Sequence, residues 1–196
     1  MADVERAVAA IRAGAPVILP TDTVYGLCAA PEDATAVARV YELKGRPEAM
    51  PIALVCPDVD TLLACVPELP ELPARALLPG AFTLVVPNPG RRFPWLNAGE
   101  TIGVRVPALD GPARDVLAQV GAVAATSANR HGGPDPRRLE DVPREIREGC
   151  AAEIDSGELP GIPSTVIDLT GTEPKILREG AVGAAEVRDR LAAATA

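Results

Sequence analysis

Residues 16–30 read Pro16-Val17-Ile18-Leu19-Pro20-Thr21-Asp22-Thr23-Val24-Tyr25-Gly26-Leu27-Cys28-Ala29-Ala30. The run Val17-Ile18-Leu19 lies between two prolines. It is too short for a helix and rich in β-branched side chains, so it predicts a buried strand. A turn carrying Thr21-Asp22-Thr23 follows, and then a second apolar stretch from Val24 to Ala30. Hydroxyls and a carboxylate at a strand end can hydrogen-bond a ligand, and Gly26 allows close backbone approach. The same residues can equally form a turn closed by side-chain-to-backbone bonds.

Outward from this stretch the pattern alternates. On the N-terminal side, Val4, Val8 and Ile11 have helical spacing behind a capping Asp3 and stop at Gly14. On the C-terminal side, Asp33 opens a helix that carries Val37, Val40 and Tyr41 and ends near Lys44-Gly45. Pro51–Cys56 is a second buried strand, and Asp58 starts a helix through Leu62 and Leu63. A proline-punctuated stretch leads to a strand from Phe82 to Val86, then a loop from Pro87 to Glu100 with Trp95 near its middle. Thr101–Val106 reads as a strand, Asp110–Val120 as a helix, and Ala122–Ala125 as a strand running into Thr126-Ser127-Ala128-Asn129. Leu139–Gly149 reads as a polar helix. Ala152–Ile154, Thr165–Leu169 and Lys175–Arg178 read as strands, and Ala184–Ala193 as a closing helix. Strands alternating with helices give an α/β fold with a largely buried sheet. The link Thr170–Pro174 is too short for a parallel crossover, so part of the sheet is expected to be antiparallel.

The chain has 196 residues, 47% hydrophobic and 23% charged, which fits one globular domain over 1–196. Its net charge of −8 argues against a dedicated duplex-DNA binder. Aromatic residues, at 3%, are too few to stack many exposed bases. Cys28, Cys56, Cys65 and Cys150 form no C-x-x-C pair, and His131 is the one histidine, so a Cys/His zinc site is not expected. Scattered cysteines read as reduced thiols of a cytoplasmic protein. The N-terminus lacks the basic-then-apolar order of a signal peptide, and no apolar run approaches the ~20 residues of a membrane span.

Nucleotide-binding signatures G-x-x-x-x-G-K-[ST] and G-x-G-x-x-G are absent, as is a G-x-S-x-G nucleophile elbow. His131 beside Gly132-Gly133 reads as a solvated loop residue. Polar residues instead gather at the ends of apolar strands and helices. Lys44 and Arg46 straddle Gly45 before Pro47, where both can face one anion or simply answer the helix macrodipole. Pro79-Gly80-Ala81-Phe82-Thr83 starts a strand. Arg105 is a charge inside an apolar strand, which calls for a partner or a ligand unless it faces water at an edge. Thr126-Ser127-Ala128-Asn129, Pro163–Asp168 and Arg178-Glu179-Gly180-Ala181 complete seven polar clusters. Open α/β sheets bind ligands at such strand ends.

In order, these clusters read P-T-D-T-V-Y-G-L, K-G-R-P, P-G-x-x-T, V-R-V-P, T-S-A-N, S-T-V-I-D and R-x-G-A. The series resembles the YrdC-like threonylcarbamoyl-adenylate synthases from about Val8 to Ala181, in their short, single-domain form. The resemblance implies a twisted mixed parallel/antiparallel sheet with flanking helices around a concave, positively lined cavity. It implies formation of threonylcarbamoyl-AMP and pyrophosphate from L-threonine, bicarbonate and ATP, with Mg²⁺ on the ATP phosphates. It also implies partner proteins that transfer the threonylcarbamoyl group to tRNA, so that tRNA is met only indirectly, and no membrane. Carried over by motif, Lys44 and Arg46 face the phosphates and the carbamate and are the catalytic pair. Thr21, Thr23 and Arg105 hold threonine. Thr101, Ser127, Asn129, Ser164 and Arg178 join Lys44 and Arg46 around ATP.

The sequence departs from the usual pattern at Cys28, Met50, Ala81 and Asp135, the last two standing for a proline and a serine. An aspartate near phosphate is unfavourable unless Mg²⁺ or Arg137 offsets it. Two other readings stand beside the synthase: a carbamoyl-transfer relative, which normally has extra domains, and a non-catalytic RNA-binding module.

Overall fold

The structure, a computed structural model, describes residues 1–47, 50–96 and 99–195. In chain order the elements are α1 (Ala2–Arg12), β1 (Val17–Pro20), β2 (Tyr25–Ala29), α2 (Ala34–Lys44), β3 (Ala53–Val55), α3 (Val59–Cys65), α4 (Glu71–Leu77), β4 (Phe82–Pro87), β5 (Thr101–Arg105), α5 (Pro112–Val120), β6 (Val123–Ser127), α6 (Arg144–Glu148), β7 (Ala152–Glu153), β8 (Thr165–Asp168), β9 (Lys175–Arg178) and α7 (Ala184–Thr195). The strands form one sheet in the order β7-β1-β2-β6-β3-β5-β4-β8-β9. The pairs β7–β1, β3–β5 and β4–β8 are parallel, and the others are antiparallel. The short Thr170–Pro174 link does join an antiparallel pair, β8 and β9.

Both faces of the sheet carry apolar layers, which explains why β1 is apolar throughout. Val17 and Leu19 pack with Val4, Val8 and Ile11 of α1 and Val116 and Leu117 of α5. Ile18 points the other way, into the larger core with Val37 and Val40 of α2, Leu62 of α3, Leu77 of α4 and Val187 of α7. The alternation in β5 is equally decisive. Ile102 and Val104 enter the large core, so Gly103 and Arg105 face the opposite side.

Local signals explain the helix ends. The Asp33 carboxylate accepts from the amides of Thr35 and Ala36, and Gly45 ends α2 at a φ of 62°. Asp58 caps α3 through Thr61. Asp3, expected as a cap, instead lies in the first turn of α1 and bonds Arg6, with Met1 at the cap position. The stretch expected only to be proline-punctuated contains α4. Pro73 falls in its first turn, where an amide has no intrahelical partner to lose. The helix expected over Leu139–Gly149 is broken. A 3-10 turn at Leu139–Asp141 is separated from α6 by Pro143, which cannot supply the amide a continuous helix needs. Part of the loop expected over Pro87–Glu100 lies outside the described residues. No helix among the described residues is long and apolar enough to cross a membrane.

Candidate active site

The face of the sheet that carries Gly103 and Arg105 is only partly covered by α1 and α5. In the uncovered part, Ala53 and Val55 of β3, Ala125 of β6, Thr83 of β4 and Val166 of β8 floor a cavity of about 250 Å³. The register makes this floor continuous, since Ala53 pairs with Ala125 and Thr83 with Val166. Small residues leave the room. A Cβ added to Gly103 would stand 3.6 Å from Thr83 Cγ2 and 4.0 Å from Ala53 Cβ.

Strand ends and loops build the walls. Thr21, Thr23, Arg46, Thr83, Arg105, Ser127, Ser164 and Arg178 all line this one cavity. The seven clusters, far apart in the chain, thus converge, while three of the expected site residues, Asn129, Thr101 and Lys44, do not line the cavity. Asn129 is buried and stands behind Ser127, its Oδ1 accepting from Ser127 Oγ at 2.8 Å and its Nδ2 donating to Gly133 O at 2.6 Å. Thr101 does not join the cavity. It pairs with Pro87 at the far end of β5, exposed and roughly 13 Å along the strand from Arg105. Spacing in the sequence could not show which end of β5 faces the site.

Lys44 is buried behind the wall. Its Nζ donates to Ser127 O at 2.7 Å and Asn129 Oδ1 at 2.5 Å, with Ser127 Oγ and Asn129 O at 3.3 and 3.2 Å. The ammonium therefore clamps the end of β6 rather than projecting into open space. Burial, aided by the neighbouring Arg46 charge, pushes its pKa down to about 8, while Asp135 opposes the shift. Arg46 does reach the cavity. Its Nε and Nη2 are steadied by Met50 O at 3.2 Å and Pro51 O at 2.9 Å. Across the cavity Arg178 Nη2 donates to Ser164 O at 2.8 Å, and the Ser164 hydroxyl is 2.7 Å from that of Thr83.

Thr21 and Thr23 support one another. Thr21 Oγ1 donates to Val24 O at 2.7 Å, so the 2.9 Å bond between the two hydroxyls has Thr23 as donor. Thr23 Oγ1 in turn accepts from Arg105 Nη2 at 2.8 Å. Thr23 is fully buried and its hydroxyl steadies Arg105; Thr21 is half-buried. Tyr25, from the same motif, is fully buried. Its hydroxyl lies 2.8 Å from both Asp155 Oδ1 and Gly157 O, and accepts from Ser156 N at 3.0 Å. It anchors the segment leading to Pro163 and Ser164, and burial pushes its pKa up to about 12.

Apolar side chains complete the lining, and of these Pro51 and Ile52 had no clear signal in the sequence. Val24, Pro51, Ile52 and Pro163 contribute apolar wall. Asp135 lines the cavity as well, and among the described residues its carboxylate has no ion-pair partner. The described residues contain no group of three or more His, Cys, Asp or Glu that could hold a metal ion. Among the described residues that line the cavity, Asp135 is the one carboxylate, and it is the residue that could help hold a divalent cation there.

Comparison with known proteins places the chain in a family. The family model Sua5_yciO_yrdC, described as telomere recombination, matches residues 9–180. The chain is 36% identical over 190 residues to the putative threonylcarbamoyl-AMP synthase of Mycobacterium tuberculosis, covering 94% of this chain and 87% of that protein. The crystal structure of P. abyssi Sua5 complexed with L-threonine superposes with a TM-score of 0.88 at 35% identity, over 95% of this chain and 56% of that one. The crystal structure of E. coli YciO gives 0.79 at 26% identity, over 94% and 92%. Matched along most of its length in sequence and in fold, the chain belongs to the Sua5/YciO/YrdC family.

Proposed function

We propose that this chain is an L-threonylcarbamoyladenylate synthase, a nucleotidyltransferase that joins L-threonine, bicarbonate and ATP into threonylcarbamoyl-AMP and pyrophosphate. One observation carries the reading. A cavity floored by small residues gathers Arg46, Arg105 and Arg178, with the Lys44 ammonium behind its wall, in a chain whose net charge is −8. All three substrates are anionic groups or carry one, and a local cationic cavity concentrates them against the overall charge. The relatives named threonylcarbamoyl-AMP synthases support the same reading.

The chemistry needs no protein nucleophile. Bicarbonate loses water to give carbon dioxide, and the threonine amine adds to that carbon and releases a proton to solvent, giving a carbamate. The carbamate oxygen then attacks the α-phosphorus, and pyrophosphate leaves. The chain's residues bind, orient and stabilise charge. Arg105, beside Val55, takes the threonine carboxylate, and the apolar wall of Val55 and Ile52 receives its methyl. Arg46 and Arg178 face the triphosphate from opposite sides. Lys44 holds Ser127 and Asn129 where the nucleotide passes. Asp135 is the cavity carboxylate that would help hold Mg²⁺ arriving with ATP, an ion that would supply charge neutralisation for the pyrophosphate leaving group. Transfer of the threonylcarbamoyl group to tRNA falls to partner proteins.

The test is pyrophosphate release from ATP and bicarbonate with threonine, serine or valine at equal concentration. Threonine is expected to be best. Serine, lacking one methyl, loses about 1–3 kcal/mol of discrimination. Release that is independent of any amino acid, or equal with valine and threonine, overturns the synthase reading.

A further inference from the structure

Arg105 is held by a residue 83 positions earlier in the chain. Asp22, in the turn between β1 and β2, accepts from Arg105 Nη2 through Oδ1, and through Oδ2 from the Ala108 amide at 2.9 Å. Both side chains of this ion pair are only 11% exposed. The same Nη2 donates to Thr23 Oγ1, whose own proton goes to Thr21. Nη2 is thus fixed on two sides by the β1–β2 turn. Nε is buried without a partner, so it is closed to any ligand as well. Nη1 is the remaining donor group. Among the described residues it has no hydrogen-bond partner, and Arg105 lines the cavity.

We infer that Asp22 is the positioning residue for amino-acid recognition: with Thr23 it pins one edge of the Arg105 guanidinium so that Nη1 alone is presented to the substrate carboxylate. The inference rests on the reading that Arg105 binds that carboxylate. Two features of the arrangement favour it over simple stapling of the fold. The Asp22 carboxylate ties the strand residue Arg105 and the following segment at Ala108 to the same turn, and the guanidinium cannot swing without breaking its bonds to Asp22 and Thr23. The pair also offsets part of the Arg105 charge, which makes its affinity for an anion more sensitive to orientation. Asp22 does not touch the substrate in this arrangement; it acts through Arg105.

The experiment is calorimetric titration of threonine, and separately of ATP, into the wild-type chain and the variants Asp22→Asn, Arg105→Leu and the double variant. Asp22→Asn keeps an oxygen for the Ala108 amide and a similar volume, and thermal unfolding checks that each variant is folded. Arg105→Leu and Asp22→Asn are each expected to weaken threonine binding about tenfold or more, with ATP affinity unchanged. The double variant is expected to be no weaker than Arg105→Leu alone, since an effect exerted through Arg105 vanishes with it. Asp22→Glu, which keeps the charge, is expected to recover part of the loss. Wild-type threonine affinity in Asp22→Asn alongside a loss in Arg105→Leu overturns the positioning role and leaves the proposed function standing. Additive losses in the double variant, or equal losses for both ligands, overturn it too. No change in Arg105→Leu fails the carboxylate reading itself, and the role of Asp22 falls with it. If Asp22→Asn does not fold, Thr23→Val removes the other support and is judged by the same outcomes.

Discussion

Filling the cavity floor at Gly103 is expected to strengthen the fold and weaken the enzyme. Gly103 lies within β5, paired with Val85, and its backbone is extended rather than left-handed. Replacing it by alanine introduces a Cβ at 3.6 Å from Thr83 Cγ2 and 4.0 Å from Ala53 Cβ, both ordinary van der Waals contacts with no backbone atom in the way. A glycine in a strand interior costs about 0.5–1 kcal/mol relative to alanine through chain entropy, so Gly103→Ala should gain roughly that much. The new methyl also stands between two residues that floor a cavity of about 250 Å³. A single misplaced methyl in a fitted pocket is worth about 1–3 kcal/mol, so substrate affinity should fall some 5- to 150-fold. Gly103→Val, better suited still to a strand, should extend both trends. Urea unfolding measures the gain, and threonine or ATP titration with pyrophosphate release measures the loss. A variant that is stabilised yet fully active would show that substrates do not rest on this floor. A destabilised one would show that Gly103 does not face the cavity.

Three further outcomes follow from the site. The Lys44 pKa falls from 10.5 to about 8 on folding, so between those values the unfolded chain binds more protons and stability rises with pH. Lys44→Met removes the titrating group, and the wild-type advantage should grow by up to ~3 kcal/mol as pH climbs through that window; denaturant titrations with a pH-independent difference would refute this. Arg178→Ala, on an exposed edge strand, should leave the unfolding midpoint within about 0.5 kcal/mol of wild type while costing about 1.5–3 kcal/mol of nucleotide binding. Nucleotide titration that finds no loss places the phosphates elsewhere. Asp135→Asn removes a like charge from an anion cavity, so ATP affinity in a chelator should rise while the Mg²⁺ dependence of binding shrinks. Unchanged affinity in both conditions would mean Asp135 does not face the phosphates.

The sequence by itself determined most of the elements and much of the cavity's polar lining, though not α4 or the break at Pro143. Val17-Ile18-Leu19 between prolines could be only a short buried strand, and Asp33 and Asp58 marked helix starts because a carboxylate caps the amides two or three residues on. The motif series from Thr21 to Arg178 named most of the cavity's polar lining, because chemistry confines hydroxyls and cations in apolar segments to few roles. Periodicity and capping act over a handful of residues, so one chain suffices to read them. Everything that depends on which strands lie side by side was decided by the tertiary structure. Thr101 and Arg105 belong to one strand, yet only the end of β5 beside β3 and the β1–β2 turn meets the cavity. Lys44 looked like a cation free to leave a helix end, but packing of α2 against β2, the neighbour of β6 in the sheet, turns it inward onto Ser127 and Asn129. Asp22 finds Arg105, and Tyr25 finds Asp155, only through strand order and register. Those pairings span 83 and 130 residues, and no local hydrogen bond or hydrophobic period encodes a contact at that separation; the shared sheet does.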